Sequence, residues 1–185
     1  YKIDFNGFPN FGEKVRVDFT SNFSGFAEDP EHELNDTLVN FENIDLASAT
    51  LDLELVGDDG INIITAGSGD DIIYGGGGND IISLGEGDDI AVYDGQGSDV
   101  FYFGSGDDTL RFNIGDIRGW SEYRDGDDLV IYSANGSDYM TAVGAYSEEN
   151  RLKYIEYIIN RPDLAAEQFS VVRNLSDLDL TPSSG

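Results

Sequence analysis

Cysteine is absent from the chain, which removes disulfides and thiolate metal sites at once, so a protein working outside the cell would need another stabiliser. Positive charge is nearly as scarce. Ten Lys and Arg stand against 37 Asp and Glu, a formal charge of -27. That balance repels nucleic acid and anionic membranes and attracts cations. No apolar run approaches the roughly 18 residues of a membrane span, and Tyr1 opens neither a signal peptide nor a natural start, so the chain reads as a module of a longer protein. The one histidine, His32, begins "HELND". A zinc protease motif would need its second His where Asp36 stands, so His32 is read as a surface-loop residue.

Aspartate and glycine are what remain in excess, in a chain whose 185 residues, 39% hydrophobic and 12% aromatic, suffice for one domain with a core. They are arranged in nines: "GDDGINIIT" (57 to 65), "AGSGDDIIY" (66 to 74), "GGGGNDIIS" (75 to 83) and "LGEGDDIAV" (84 to 92). After one extra residue, Tyr93, come "DGQGSDVFY" (94 to 102) and "FGSGDDTLR" (103 to 111). The fourth position is always Gly: Gly60, Gly69, Gly78, Gly87, Gly97 and Gly106. The sixth is Asn62, then Asp71, Asp80, Asp89, Asp99 and Asp108; the eighth is Ile64, Ile73, Ile82, Ala91, Phe101 and Leu110.

This is the G-G-x-G-x-D-x-U-x pattern of calcium-binding parallel β-helices. On six units in register the sequence resembles the RTX, or haemolysin-type, calcium-binding family. The resemblance implies an all-β chain, a right-handed parallel β-roll with β-rich caps at both ends. It also implies a secreted bacterial parent (toxin, protease, lipase, polysaccharide-modifying enzyme or adhesin) exported through a type I secretion channel.

The physical reading runs beside it. The last three residues of each unit make a strand that points the eighth side chain inward, and the first six make a turn. Glycine supplies the turn's unusual backbone angles and lets carbonyl oxygens crowd an ion. Two units make one coil, so turns stack in two columns: Asn62, Asp80 and Asp99 in one, and Asp71, Asp89 and Asp108 in the other. At a spacing of about 4.8 Å stacked carboxylates repel by about 3 kcal/mol at an effective dielectric near 20. Burying one side chain per unit returns about 1.5 to 3 kcal/mol before backbone entropy is subtracted. A divalent cation between turns reverses the electrostatic sign, and calcium, with six to eight oxygen ligands in flexible geometry, suits the donors better than magnesium.

The expected metal ligands are Asn62, Gly69, Asp71, Gly76, Gly78, Asp80, Gly85, Gly87, Asp89, Gly95, Gly97, Asp99, Gly104, Gly106 and Asp108, holding several calcium ions. The pairs Asp80 with Asp99, Asp71 with Asp89 and Asp89 with Asp108 should bind. Asn62 with Asp80, one charge short, should bind more weakly. Tyr93, inserted between units, is expected to bend the Asp80 and Asp99 column or open it to solvent.

The division expected is a cap and degenerate coil over 1–56, the calcium roll over 57–111, and a C-terminal cap and tail over 112–185. Before the repeats, alternation predicts half-buried strands; the "VRVD" strand and "DTLVNFENI" resemble what precedes such repeats in the family. Ser48 to Val56 reads as a coil without glycines, stacked on the first turn, and Ser21 to Asn35 as a loop. After the repeats come a "DDLVI" strand, a turn at Asn135-Gly136, a second strand, and a last strand around Tyr154 to Ile159. A short helix is expected from Asp163 to Val172, then a tail.

Other chemistry finds little support. "GGGGND" and "GQGSD" lack the Lys-Ser/Thr of a phosphate loop, and no Asp-rich stretch ends in the Glu of an EF-hand. The sequons at Asn22, Asn35, Asn135 and Asn174 match chance. The expected function is a non-catalytic calcium-binding module, monomeric in isolation, that folds on calcium outside the cell and supports type I secretion and stability of its parent. The alternative is a carbohydrate-binding module for neutral glycans. Trp120, Tyr123 and Tyr102 would be its sugar-stacking patch, against the plainer reading of those residues as core or cap.

Overall fold

In the computed structural model of the chain, the described residues are 15–18, 43–50, 52–115, 118–147, 152–160 and 168–177. Fourteen strands follow one another: β1 (Val15–Asp18), β2 (Asn43–Asp45), β3 (Leu53–Val56), β4 (Ile63–Thr65), β5 (Ile72–Tyr74), β6 (Ile81–Ser83) and β7 (Ile90–Tyr93). Then come β8 (Ser98–Tyr102), β9 (Asp108–Gly115), β10 (Trp120–Asp125), β11 (Asp128–Ser133), β12 (Tyr139–Val143), β13 (Leu152–Asn160) and β14 (Gln168–Asn174). A 3-10 turn, Leu175–Asp177, follows β14, and the described residues contain no α-helix.

The strands form two seven-stranded sheets, in the orders β1-β3-β5-β7-β9-β13-β14 and β10-β11-β12-β8-β6-β4-β2, and β1 to β9 alternate between them. All pairings within the repeats are parallel, and the registers bring Ile64 beside Ile82 and Ile82 beside Phe101 in one sheet. In the other sheet Ile73 lies beside Ala91, and Ala91 beside Leu110. The fold is a parallel β-roll with two nonapeptides per coil. A three-residue strand can bury only its middle side chain, and every eighth-position residue is buried, five of the six being apolar side chains larger than alanine. The coil without glycines belongs to the same stack: Leu55 is buried beside Ile73, and Ile44 beside Ile64.

The C-terminal flank prolongs both sheets. β12 pairs in parallel with β8, and β13 with β9. The turn at Asn135-Gly136 joins β11 to β12 as an antiparallel hairpin, with Gly136 at φ 69°. β10, which the sequence pattern does not announce, adds to the outer edge of β11.

Two expectations need correction. The helix expected from Asp163 to Val172 is contradicted where the chain is described, because Gln168–Asn174 is a strand paired antiparallel with β13. The free edge of β13 offers seven residues a ladder partner, which outweighs the weak local preference for helix. Tyr93 does not open its column. It lengthens β7 by one residue, pairs with Phe112, and is wholly buried between Phe112 and Trp120, with centroid distances of 5.1 and 5.9 Å. The repeat absorbs the extra residue by turning it inward, in the unit whose eighth residue, Ala91, is smallest. The loop 21–35 and His32 lie outside the described residues.

Candidate metal centre

Each sixth-position side chain sits where a turn enters its strand, and all six are buried, Asn62 the most accessible at 2%. The aspartates are tied by one oxygen. Oδ1 of Asp89 accepts the backbone N–H of Asp71 at 2.8 Å, and Oδ1 of Asp108 accepts that of Asp89 at 3.0 Å. In the second column Oδ1 of Asp99 accepts from Asp80 at 3.0 Å, and Oδ1 of Asp80 from Asn62 at 2.9 Å. Asp71 reaches back to Leu53 of the glycine-free coil at 2.7 Å. The sequence columns are therefore physical ladders, in the vertical order that two units per coil requires.

Asn62 behaves differently. Its amide oxygen accepts the N–H of Asp58, four residues earlier in its own turn, at 2.9 Å. It closes that turn, and among the described residues it makes no link to a preceding coil.

The second carboxylate oxygen carries the chemistry. Oδ2 of Asp80, Asp89 and Asp108 is buried without a hydrogen-bond partner. A buried, unsatisfied carboxylate oxygen is expensive, and the acid equilibria register that cost. Burial, the leading cause, pushes the Asp89 carboxyl up to about 8, with the Asp108 charge adding to it. Burial likewise lifts Asp80 and Asp99 to about 7 and Asp108 to about 6, against an ordinary 3.8. Desolvation thus outweighs the carboxylate repulsion that the spacing alone suggests.

Backbone oxygens complete the donor set. A Cβ on Gly87 would fall on the carbonyl oxygen of Gly69, and one on Gly78 on that of Gly60; both glycines have positive φ, 124° and 107°. Gly76, Gly85, Gly97, Gly104 and Gly106 each lie against a carbonyl oxygen of the preceding coil in the same way. Gly75 faces its own unit's Asp80, whose Oδ2 would lie 2.5 Å from an added Cβ. Gly95 departs from this set: it packs under Ile114 and Trp120 of the C-terminal cap. Among the described residues no group of three or more His, Cys, Asp or Glu side chains forms a metal site. The donors are paired carboxylates and crowded carbonyls, all oxygen, and such a set fits a hard cation of high coordination number.

A second ladder escapes the nonapeptide consensus. The N–H of Asp70 donates to Asp52 (2.9 Å), that of Asp88 to Asp70 (2.9 Å) and that of Asp107 to Asp88 (2.8 Å). These exposed fifth-position carboxylates cap successive turns, and an ion pair from Lys153 to Asp107 ends the row. The signal was available in the sequence: every second unit carries Asp at a position the pattern leaves free. Of the three aromatics considered for a surface patch, Trp120 packs on the core at 5.2 Å from Phe112. Tyr102 and Tyr123 are exposed.

Residues 56–91 and 92–110 match the family described as RTX calcium-binding nonapeptide repeat, in four copies. The stretch 56–110 is an RTX calcium-binding repeat. RTX nonapeptides bind calcium, so the buried oxygens and the carbonyl stacks stand in a segment of calcium-binding type. Proteins that carry RTX repeats are typically secreted. Among solved structures, the chain is similar to the extracellular lipase LipA from Serratia marcescens, at 18% identity and a TM-score of 0.40 over 67% of this chain. It spans 17% of the lipase's length. A search of the curated proteins gives no match.

Proposed function

We infer that the chain is the calcium-responsive module of a longer secreted bacterial protein, disordered where calcium is scarce and folded where it is plentiful. The observation that carries this reading is the set of buried Oδ2 atoms on Asp80, Asp89 and Asp108 with no protein partner. Calcium would supply positive charge against those oxygens and a demand for six to eight ligands that the turn carbonyls meet. The residues that would hold it are the sixth-position acids from Asp71 to Asp108, Asn62 as a weaker member, and the turn glycines Gly69, Gly76, Gly78, Gly85, Gly87, Gly95, Gly97, Gly104 and Gly106 through their carbonyls.

Sites built from stacked turns scarcely exist in the unfolded chain, so binding free energy is folding free energy. Extracellular calcium modules work at about 10⁻⁴ to 10⁻³ M, a threshold that separates cytosol from exterior. An unfolded cargo suits passage through a type I channel, and folding outside favours its completion. Residues 57–111 would form the switch, 1–56 and 112–185 its two caps, and the module itself would perform no catalysis.

Circular dichroism during a calcium titration, with magnesium as the control, tests the reading. Strand signal should emerge with calcium and not with equal magnesium. A chain fully folded in chelator contradicts it.

A further inference from the structure

The outer faces of the two sheets differ in charge. On one sheet the outward positions of β4, β6, β8, β12 and β11 are Ile, Val, Ser, Thr and Tyr up to Asp128, and charge stands at the edges of the face, Asp45 on β2, Asp125 on β10 and Asp128 on β11. The other sheet's outer face carries Glu54, Arg111 and Glu156. In a chain of net charge -27, a face that keeps its charges to the edges is a local exception.

That face is also aromatic. Tyr132 and Tyr139 are cross-strand partners, Tyr123 meets Tyr132 edge to face at 5.7 Å, and Tyr102 stands on β8 beyond them. All four are exposed, from 36% to 46%, as are Ile63 and Ile81 on the adjoining strands. The tyrosines span β10 to β8, three strand spacings or about 14 Å across, with Tyr102 opposite Val143, four residues along β12 from Tyr139, on a rigid support rather than a loop.

We propose that this face binds a neutral polysaccharide chain, its sugar rings stacking on Tyr102, Tyr123, Tyr132 and Tyr139. Charge selects among the occupants. An anionic polymer is repelled by the molecule's field, and a basic one finds carboxylates at the edges of the face, Asp45, Asp125 and Asp128, rather than at its centre. A second copy would bring two chains of charge -27 together over a surface with no ion pair to offset them. A polyhydroxylated neutral chain incurs none of these costs, and tyrosine offers it both a stacking ring and a hydroxyl at low conformational cost. The proposal needs the folded sheet but no particular set of calcium ligands.

The test uses the full chain in calcium, with folding of each variant checked by circular dichroism, in affinity electrophoresis through amylose, xylan, mannan and soluble cellulose, with alginate as the anionic comparison. Retardation is expected in at least one neutral gel and not in alginate. Tyr132→Ala and Tyr139→Ala should each weaken it about tenfold, the loss of one stacked ring, while Tyr74→Ala on the opposite sheet leaves it unchanged. Retardation in none of the neutral gels, or equal retardation of the folded tyrosine variants, overturns the proposal. So does a concentration-dependent dimer in light scattering that Tyr132→Ala abolishes, since the face would then belong to a second copy. A calcium titration that folds the chain normally while no gel retards it would sink this proposal and leave the calcium reading standing.

Discussion

Asp89 holds the coil before it by one oxygen and leaves the other bare: Oδ1 accepts the N–H of Asp71, eighteen residues earlier, at 2.8 Å, while Oδ2 is buried without a partner. One side chain is thus both a structural tie and an open ligand, and the two roles can be separated by substitution.

Asp89→Asn keeps an amide oxygen for the Asp71 N–H and removes the charge. In chelator the variant should show at least as much strand signal as the parent, and its calcium response should be weakened. Asp89→Ala removes the charge and also leaves that N–H unsatisfied, a further cost of about 1 to 3 kcal/mol to the folded roll. Its loss of calcium response should exceed that of Asp108→Ala, because Asp89 stands between two neighbours in its column and Asp108 ends it. Circular dichroism in chelator and during a calcium titration, with urea titrations at saturating calcium, separates these outcomes.

Acid should stabilise the metal-free roll. The folded-state carboxyls of Asp80, Asp99 and Asp108 stand at about 7, 7 and 6, and that of Asp89 at about 8, all above the ordinary 3.8. The folded form therefore binds protons more tightly than the unfolded one. Its stability in chelator rises as pH falls from about 8 towards 4 and is lost as pH rises through the same window. Strand signal by circular dichroism in chelator, greater at pH 5 than at pH 8, checks the sign. The double variant Asp80→Asn with Asp89→Asn should flatten the slope, which relief of net charge alone would not do.

Alanine at Gly87 meets two obstacles, a φ of 124° and the Gly69 carbonyl where its Cβ would lie. Alanine at Gly136 meets only the first, since its φ is 69° and nothing stands within 4 Å of the added atom. Gly136→Ala should cost about 1 to 2 kcal/mol for the left-handed backbone. Gly87→Ala should cost more and should also reduce the calcium response. Equal losses would show that the stacked carbonyl gives way.

Tyr93→Ala should cost about 3 to 5 kcal/mol, the range for emptying a buried aromatic site. Tyr93→Phe removes only a hydroxyl that donates to the Gly97 carbonyl at 3.1 Å and should cost about 1 kcal/mol. Thermal unfolding in calcium measures both.

The repeat was legible because its period is enforced by two local demands, a small residue at the turn and an apolar one at the eighth position. From those alone the two columns and the stacking order of Asp71, Asp89 and Asp108 follow. What escaped depended on partners far along the chain. Whether Tyr93 bulges outward or turns inward is decided by Phe112 and Trp120, neither adjacent in sequence. Gln168–Asn174 becomes a strand because β13 has a free edge. The spacing of the acids suggested repulsion as the chief cost, whereas burial leads it, and burial cannot be read until the turns are stacked. The ladder through Asp52, Asp70, Asp88 and Asp107 was hidden by a consensus that leaves the fifth position free.

Anomalous diffraction from crystals grown in calcium addresses the central claim most directly. Peaks between successive turns, within bonding distance of Oδ2 on Asp80, Asp89 and Asp108, are the predicted result. Peaks confined to the exposed row of Asp70, Asp88 and Asp107, or turns free of ions at millimolar calcium, would contradict it.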